Sequence, residues 1–151
     1  MQLIFIIIII NYFNIFSRSK NIAVIGLSKN NTKDSYRISQ YMESSGYQII
    51  PINPTADFIM NKKAFPSLLE LPKNIVKDLD IVNIFRKSEH VLPIIKECIE
   101  IKKKHDNLNA IWMQIGIQNN KAAALLNGTG LNLIMNKCIM IEHKKYLNSM
   151  N

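Results

Sequence analysis

The chain of 151 residues is poor in cysteine, arginine and glycine, and each shortage excludes something. Two cysteines, Cys98 and Cys138, are too few for a disulfide framework or a four-cysteine zinc site, which rules out small secreted scaffolds and leaves a reducing compartment compatible. Three arginines, Arg18, Arg37 and Arg86, do not make the guanidinium surface interleaved with aromatics that nucleic acid asks for, so RNA and DNA rank last among partners. Of the five glycines, Gly26 alone follows the first strand-like run, where a dinucleotide fingerprint needs three at fixed spacing. A membrane-spanning run is lacking too. Residues 1–16 (MQLIFIIIIINYFNIF) fall short of the roughly 20 apolar residues that cross a bilayer, and Asn11 and Asn14 interrupt them. No Lys or Arg precedes the run and no small-residue cleavage pair follows it, so two of the three parts of a secretory signal are missing. The segment reads as a local docking stretch or an extension from an upstream start codon, ahead of a targeting signal.

What is present fits one domain. Hydrophobic residues make up 48% and charged residues 20%, a balance that suits a soluble, cytoplasmic globular protein rather than a disordered or polytopic membrane chain. The length leaves no room for two ordinary cores. Residues 1–19 form an atypical apolar segment, 20–146 the domain and 147–151 a tail. Lys and Arg number 19 against 11 Asp and Glu, a net charge of +8 that favours phosphorylated small molecules, nucleic acid or an acidic membrane face. Charge alone does not choose among them.

From Asn21 the pattern alternates strand and helix. NIAVIGL ends a β-branched run at Gly26, the signature of a strand buried on both sides. Ile38, Tyr41 and Met42 then share a helical face between Ser35 and Ser45, with Asp34 or Ser35 as N-cap and Gly46 as the stop. YQIIPI predicts a second strand, in which Pro51 must sit at an end or an irregular pairing because it lacks a ladder donor. Between Asn53 and Asp80 the pattern fades, and SLLEL, bracketed by Pro66 and Pro72, suggests a helical turn or two. DIVNIF (Asp80 to Phe85) gives strand three. A helix follows with Leu92, Ile95, Ile99 and Lys102 on one stripe and Pro93 near its first turn. NAIWMQIGI, NNKAAALLNGTG and LNLIMN supply strand, helix and strand, the helix closed by Gly128 or Gly130. The tail CIMIEHKKYLNSMN adds one short element. The whole predicts an α/β fold, a Rossmann-like doubly wound parallel sheet of about five strands with helices on both faces.

Ligands of such sheets bind beyond the carboxyl ends of the strands, near the point where strand order reverses. Gly26, Leu27 and Ser28 follow strand one, and the next helix opens with Ser35 and Arg37. A helix N-terminus offers free N–H groups and a positive dipole end, and a guanidinium adds charge-assisted bonds, so these residues suit a pyrophosphate. Each alone also has a plain structural reading: a turn glycine, a cap, a solvated arginine. After strand two stand Asn53 and Pro54 rather than the acidic residue that holds a nicotinamide dinucleotide's ribose, which weakens a hydride-transfer function.

Several motifs in order carry a resemblance. IAVIGLS with SYR downstream (Ile22 to Ser28, Ser35 to Arg37), IPINP (Ile50 to Pro54) and FPSL (Phe65 to Leu68) come first. DIVNIFR with Glu89 (Asp80 to Arg86), IWMQIGI (Ile111 to Ile117), NKAAA, IMNKC and IEH (Ile134 to Cys138, Ile141 to His143) complete them. From about Lys20 to His143 the chain resembles the small stand-alone coenzyme A-binding domain proteins, similar in fold to the nucleotide-binding half of the succinyl-CoA ligase alpha subunit. The resemblance implies coenzyme A or an acyl-CoA as cofactor, held along the strand ends. Gly26, Leu27, Ser28, Ser35 and Arg37 would face the phosphates and Asn53 with Pro54 the adenosine ribose. Phe85, Arg86, Gln114 and Gly116 would line the groove taken by the rest. At Asn136, where the family often carries Asp, this chain has no carboxylate, and its apolar start replaces a polar helical lead-in.

Other conspicuous residues read as structure. Cys98, among Ile94, Ile95 and Ile99, belongs in a core. Cys138, beside Lys137, reads first as a partly buried structural cysteine, with a thiol able to form a mixed disulfide as the alternative. His90, His105 and His143 have no metal-ligand spacing. Lys102 to Lys104 end a helix, where cations meet its negative dipole end. Trp112 lies inside an apolar strand. With no catalytic residue to name, the expected function is coenzyme A binding without catalysis, by a protein free to self-associate. The alternative is a nicotinamide-dependent oxidoreductase on a related fold.

Overall fold

The computed structural model describes residues 13–151. Five parallel strands form the sheet: β1 (Asn21–Ile25), β2 (Gln48–Ile52), β5 (Ile81–Ile84), β6 (Ala110–Met113) and β7 (Asn132–Ile134), in the order β2-β1-β5-β6-β7. Strand order therefore reverses between β1 and β5. Alternate residues feed two cores. Ile22, Val24, Ile81, Ala110 and Trp112 enter one with Ile38 and Met42 of α1 (Asp34–Ser44) and Ile139 of α5 (Ile139–Ser149). Ala23, Ile25, Val82, Ile84 and Ile111 enter the other with Ile95 and Cys98 of α3 (Val91–Lys104) and Ala122 and Leu126 of α4 (Asn120–Leu126). A sheet covered on both faces has no polar side to alternate with, which is why its strands read as largely apolar runs, with Asn83 of β5 a buried exception.

The proline in β2 is accommodated by position. β2 is an edge strand, and the Pro51 carbonyl accepts from the Phe65 N–H at 3.0 Å on the side away from β1, so the missing donor faces outward. The faded stretch between Asn53 and Asp80 holds more than SLLEL suggested. A small hairpin pairs β3 (Phe58–Ile59) with β4 (Lys62–Lys63), and Met60 and Asn61 between them both take left-handed φ values of 56° and 59°. Two such residues make a type I′ turn, unrecognisable from sequence because neither is glycine. A 3₁₀ turn (Leu68–Glu70) and α2 (Lys73–Val76) complete the crossover.

Three further details differ from expectation. Helix α1 begins at Asp34 with Lys33 in the cap position and no side-chain cap; Ser35 instead accepts the Ser28 N–H at 3.0 Å, tying down the preceding loop. On α3 the buried stripe is Val91, Ile95, Cys98 and Ile101, with Leu92 and Ile99 half-buried at its edge, because the helix is rotated slightly from the expected face. Lys102 turns to the Asp106 and Leu108 carbonyls at 2.8 and 2.9 Å. The tail is an eleven-residue helix, α5, rather than a short element.

Asp80 ties the amino-terminal edge of the sheet together. Its carboxylate accepts from the backbone N–H groups of Lys20 and Asn21 at 2.7 and 2.8 Å and from Asn107 Nδ2 at 2.9 Å. Burying the carboxylate is tolerable because all these donors meet it.

Of the reading given to residues 1–16, the part on 1–12 lies outside the described residues. Residues 13–18 are helical, and Ile15 and Phe16 are buried. The Phe16 ring packs on Trp112, His143 and Tyr146, and its carbonyl accepts from Tyr47 Oη at 3.0 Å. His143 is enclosed by the rings of Phe16, Tyr41, Tyr47 and Tyr146, with Nδ1 2.9 Å from Tyr41 Oη. Burial holds its pKa below the ordinary 6.5, since the neutral ring is favoured there. As pH falls below 6.5 the unfolded chain takes up a proton that the folded one refuses, so this contribution to stability is intact above 6.5 and drains away toward the depressed folded value. Thermal melts from pH 7.5 to 5 should show wild type losing stability more steeply than His143→Phe; parallel curves would exclude His143 as the source.

Candidate functional site

Residues beyond the ends of β1, β5, β6 and β7 are pinned by hydrogen bonds to the neighbouring strand. Gly26 N–H donates to Ile52 O at 3.0 Å, Phe85 to Ile25 at 2.9 Å, Gln114 to Ile84 at 3.4 Å and Lys137 to Met113 at 3.3 Å. The carboxyl edge is thus a terrace of fixed backbone. Gly26 takes φ of 79°, and a Cβ there would lie 2.5 Å from the Phe85 carbonyl oxygen. Only glycine permits both the left-handed turn and that approach.

Two clefts open above this terrace. The larger, of about 800 Å³, is bordered by Asp34, Arg37 and Ile38 of α1, by Phe85, Arg86 and Lys87 after β5, by Gln114 to Ile117 after β6, and by Cys138, Met140 and Ile141 at the start of α5. The smaller, of about 360 Å³, is bordered by Gly26, Pro54, Pro66, Ser67, Arg86, Glu89, His90 and Glu97 among others. Arg86 borders both, beside the β1/β5 reversal.

Of the residues singled out from the sequence, Arg37, Phe85, Arg86, Gln114 and Gly116 come together at the larger cleft, and Gly26, Pro54 and Arg86 at the smaller. Leu27, Ser28, Ser35 and Asn53 border neither. Leu27 is fully buried in the core. Ser28 accepts the Asn30 N–H at 3.0 Å and gives its own N–H to Ser35. Asn53 spends its amide inside the protein: Nδ2 donates to Leu27 O at 3.0 Å, while Oδ1 accepts from the N–H groups of Thr55 and Ala56 at 2.9 and 3.2 Å. These four build the loops that frame the clefts.

Arg37 is exposed and paired with Asp34 at 2.5 Å, a surface contact that leaves much of the guanidinium open. Gln114 is buried, and its Nε2 donates to Asn83 Oδ1 at 2.7 Å. The turn after it is held by Asn136, whose Oδ1 accepts the Gly116 N–H at 2.7 Å from a residue with φ of 56°. An amide oxygen does there what a carboxylate would. Reasoning from sequence missed Lys87, Ile115, Met140 and Ile141, which come from three separate segments and had no shared spacing to betray them. Lys87 adjoins Arg86, and that doubling of cations after strand three was the one available signal.

Glu97, half-buried beside the smaller cleft, has its carboxyl raised above the usual value by burial. Burial likewise pushes the Cys98 thiol far up, as expected of a core cysteine. Cys138 is buried at the larger cleft's wall, in the cap position of α5. Trp112 is fully buried and donates Nε1–H to Lys137 O at 2.8 Å. Among the described residues, no group of three or more His, Cys, Asp or Glu side chains is placed to hold a metal, and no helix is long and apolar enough to cross a membrane.

Comparison with known proteins places the chain in context. A family model described as a CoA binding domain matches residues 20–144. The uncharacterized protein YneT of Bacillus subtilis is 39% identical over 129 residues, covering 85% of this chain and 89% of YneT. An ADP-forming 4-hydroxybutyrate–CoA ligase of Nitrosopumilus maritimus is 37% identical over 86 residues, 56% of this chain but 12% of the ligase. Among solved structures, a hypothetical protein from Pyrococcus horikoshii superposes with a TM-score of 0.81 at 25% identity over 92% of both chains.

Substitutions at two positions test the terrace. Gly26→Ala should cost about 2–4 kcal/mol in chemical unfolding, from left-handed strain plus collision with the Phe85 carbonyl. Asn136→Asp, which keeps an acceptor and tolerates positive φ, should stay within about 0.5 kcal/mol of wild type, whereas Asn136→Ala should lose about 1–2 kcal/mol.

Proposed function

The chain belongs to the CoA-binding domain family, and on that premise we propose that it binds coenzyme A or its thioesters at the carboxyl edge of the sheet and acts by holding them, without catalysis of its own. One observation carries the reading: Arg86 stands between the two clefts at the strand-order reversal, so an elongated ligand can lie across both with its anionic middle beside a guanidinium. Arg37 and Lys87 add cations on the larger cleft's side. The donor set suits a diphosphate. The smaller cleft, with Ser67, Glu89 and His90 beside Pro54 and Pro66, offers polar edges and flat apolar surface for a nucleoside. The larger offers the long, partly apolar passage that a pantetheine arm requires. The net charge of +8 favours the approach of so anionic a ligand.

Calorimetric titration with CoA, dephospho-CoA, NAD and ATP provides the test. CoA should bind most tightly, and Arg86→Ala should weaken it by about 1.5–3 kcal/mol, more than tenfold. NAD binding as tightly as CoA would sink the proposal.

A further inference from the structure

The larger cleft is not uniformly polar. Arg37, Arg86 and Lys87 lie on its border, yet the turn after β6 and the start of α5 contribute Ile115, Ile117, Met140 and Ile141 to the same space. Ile115 is 63% exposed and Ile141 43% exposed, and they come from segments 26 residues apart to face one opening. Single exposed aliphatics are ordinary, but several converging on one concave surface mark a place where apolar ligand surface is covered. The wall is also held in place. Gly116 is tied to Asn136, the Ile117 N–H donates to Gln114 O at 2.9 Å, and the Asn136 N–H donates to Ile117 O at 3.0 Å, so Ile115 sits on a closed turn.

Resting on the reading of the site as a CoA site, we infer that the preferred ligand is a CoA thioester with an aliphatic acyl chain, and that Ile115 and Ile141 form the seat of that chain. The pantetheine arm common to all CoA species enters this cleft, but the thiol at its end is too small to cover both isoleucines, which an acyl chain beyond it would reach. A purine is the competing occupant, but its hydrogen-bonding edge finds few partners among aliphatics and better ones at Ser67, Glu89 and His90 in the other cleft. Charge and apolarity thus divide the opening: cations for the diphosphate, the passage beyond them for the pantetheine arm, and Ile115 with Ile141 for the acyl tail at its end.

Titration of the full chain with CoA, acetyl-CoA, butyryl-CoA and hexanoyl-CoA tests this directly. Each methylene that becomes fully covered is worth up to about fourfold in affinity (~0.8 kcal/mol), so hexanoyl-CoA should bind about tenfold or more tightly than CoA even with partial burial. In Ile115→Ser and Ile141→Ser, both changes at exposed positions, the ratio of hexanoyl-CoA to CoA affinity should fall toward one. Equal or weaker binding of hexanoyl-CoA by wild type overturns the inference while leaving the CoA site standing, as does an unchanged ratio in both variants. Loss of CoA and hexanoyl-CoA affinity in parallel would give the wall to the pantetheine arm or the nucleoside instead and also overturns it. No binding of any of the four would overturn the CoA reading itself.

Discussion

The close approach of Gly26 to the Phe85 carbonyl sets the geometry of the rest. Three strand ends meet there: β1 delivers Gly26, its N–H reaches Ile52 at the end of β2, and its missing Cβ admits the chain leaving β5. Because β1 and β5 flank the reversal of strand order, this contact brings together the loops that diverge above the sheet. Arg86 follows it by one residue and so stands where the two clefts meet. A bulkier residue at position 26 would push the β5 end, and the arginine with it, away from β1.

Around that point the polar residues divide into those that frame and those that face. Asn53, Ser28 and Ser35 spend their hydrogen bonds on neighbouring loops, and Asn136 spends its amide oxygen on the turn carrying Ile115. Such bonds contribute modestly to stability one by one, but each removes freedom that a ligand would otherwise have to freeze. Arg86 and Lys87 are exposed to solvent and to whatever enters, and Arg37 keeps an exposed guanidinium beside its pair Asp34. Arg86 and Lys87 follow Phe85, whose N–H continues the ladder to Ile25, and Arg37 is carried by helix α1.

The far wall depends on a different part of the chain. Helix α5 and its cap bring Cys138, Met140 and Ile141 to the larger cleft, and the helix is seated through His143 against Phe16, Tyr41 and Tyr47. Ile15 and Phe16 thus join the core that supports this helix, although they belong to a segment with no assigned role in the sequence. Helix α1 shares the same cluster through Tyr41 and offers Arg37 one turn earlier, so one aromatic packing unit positions both the cationic and the apolar sides of the opening.

Much of this was legible in the residues themselves. Apolar runs such as IAVI and AIWM signal strands covered on both faces because no polar side is needed there, and alternating helices then imply a parallel sheet with its ligand edge at the strand ends. That local logic placed Gly26 and Arg37 beside the clefts, and the family resemblance added Pro54, Phe85, Arg86, Gln114 and Gly116. It did not find the hairpin at Met60 and Asn61, whose left-handed pair is imposed by the strands on either side rather than announced by glycine. Nor did it separate Asn53, which frames, from Arg86, which faces, since which atom is already bonded depends on neighbours distant in the chain. The amino-acid sequence by itself determined the strands, the sheet they form and the edge that a ligand would meet, through periodicity and propensity acting over a few residues. The tertiary structure alone decided which side chains share a cavity, because Ile115 and Ile141 become neighbours only when β6 and α5 pack on the same sheet.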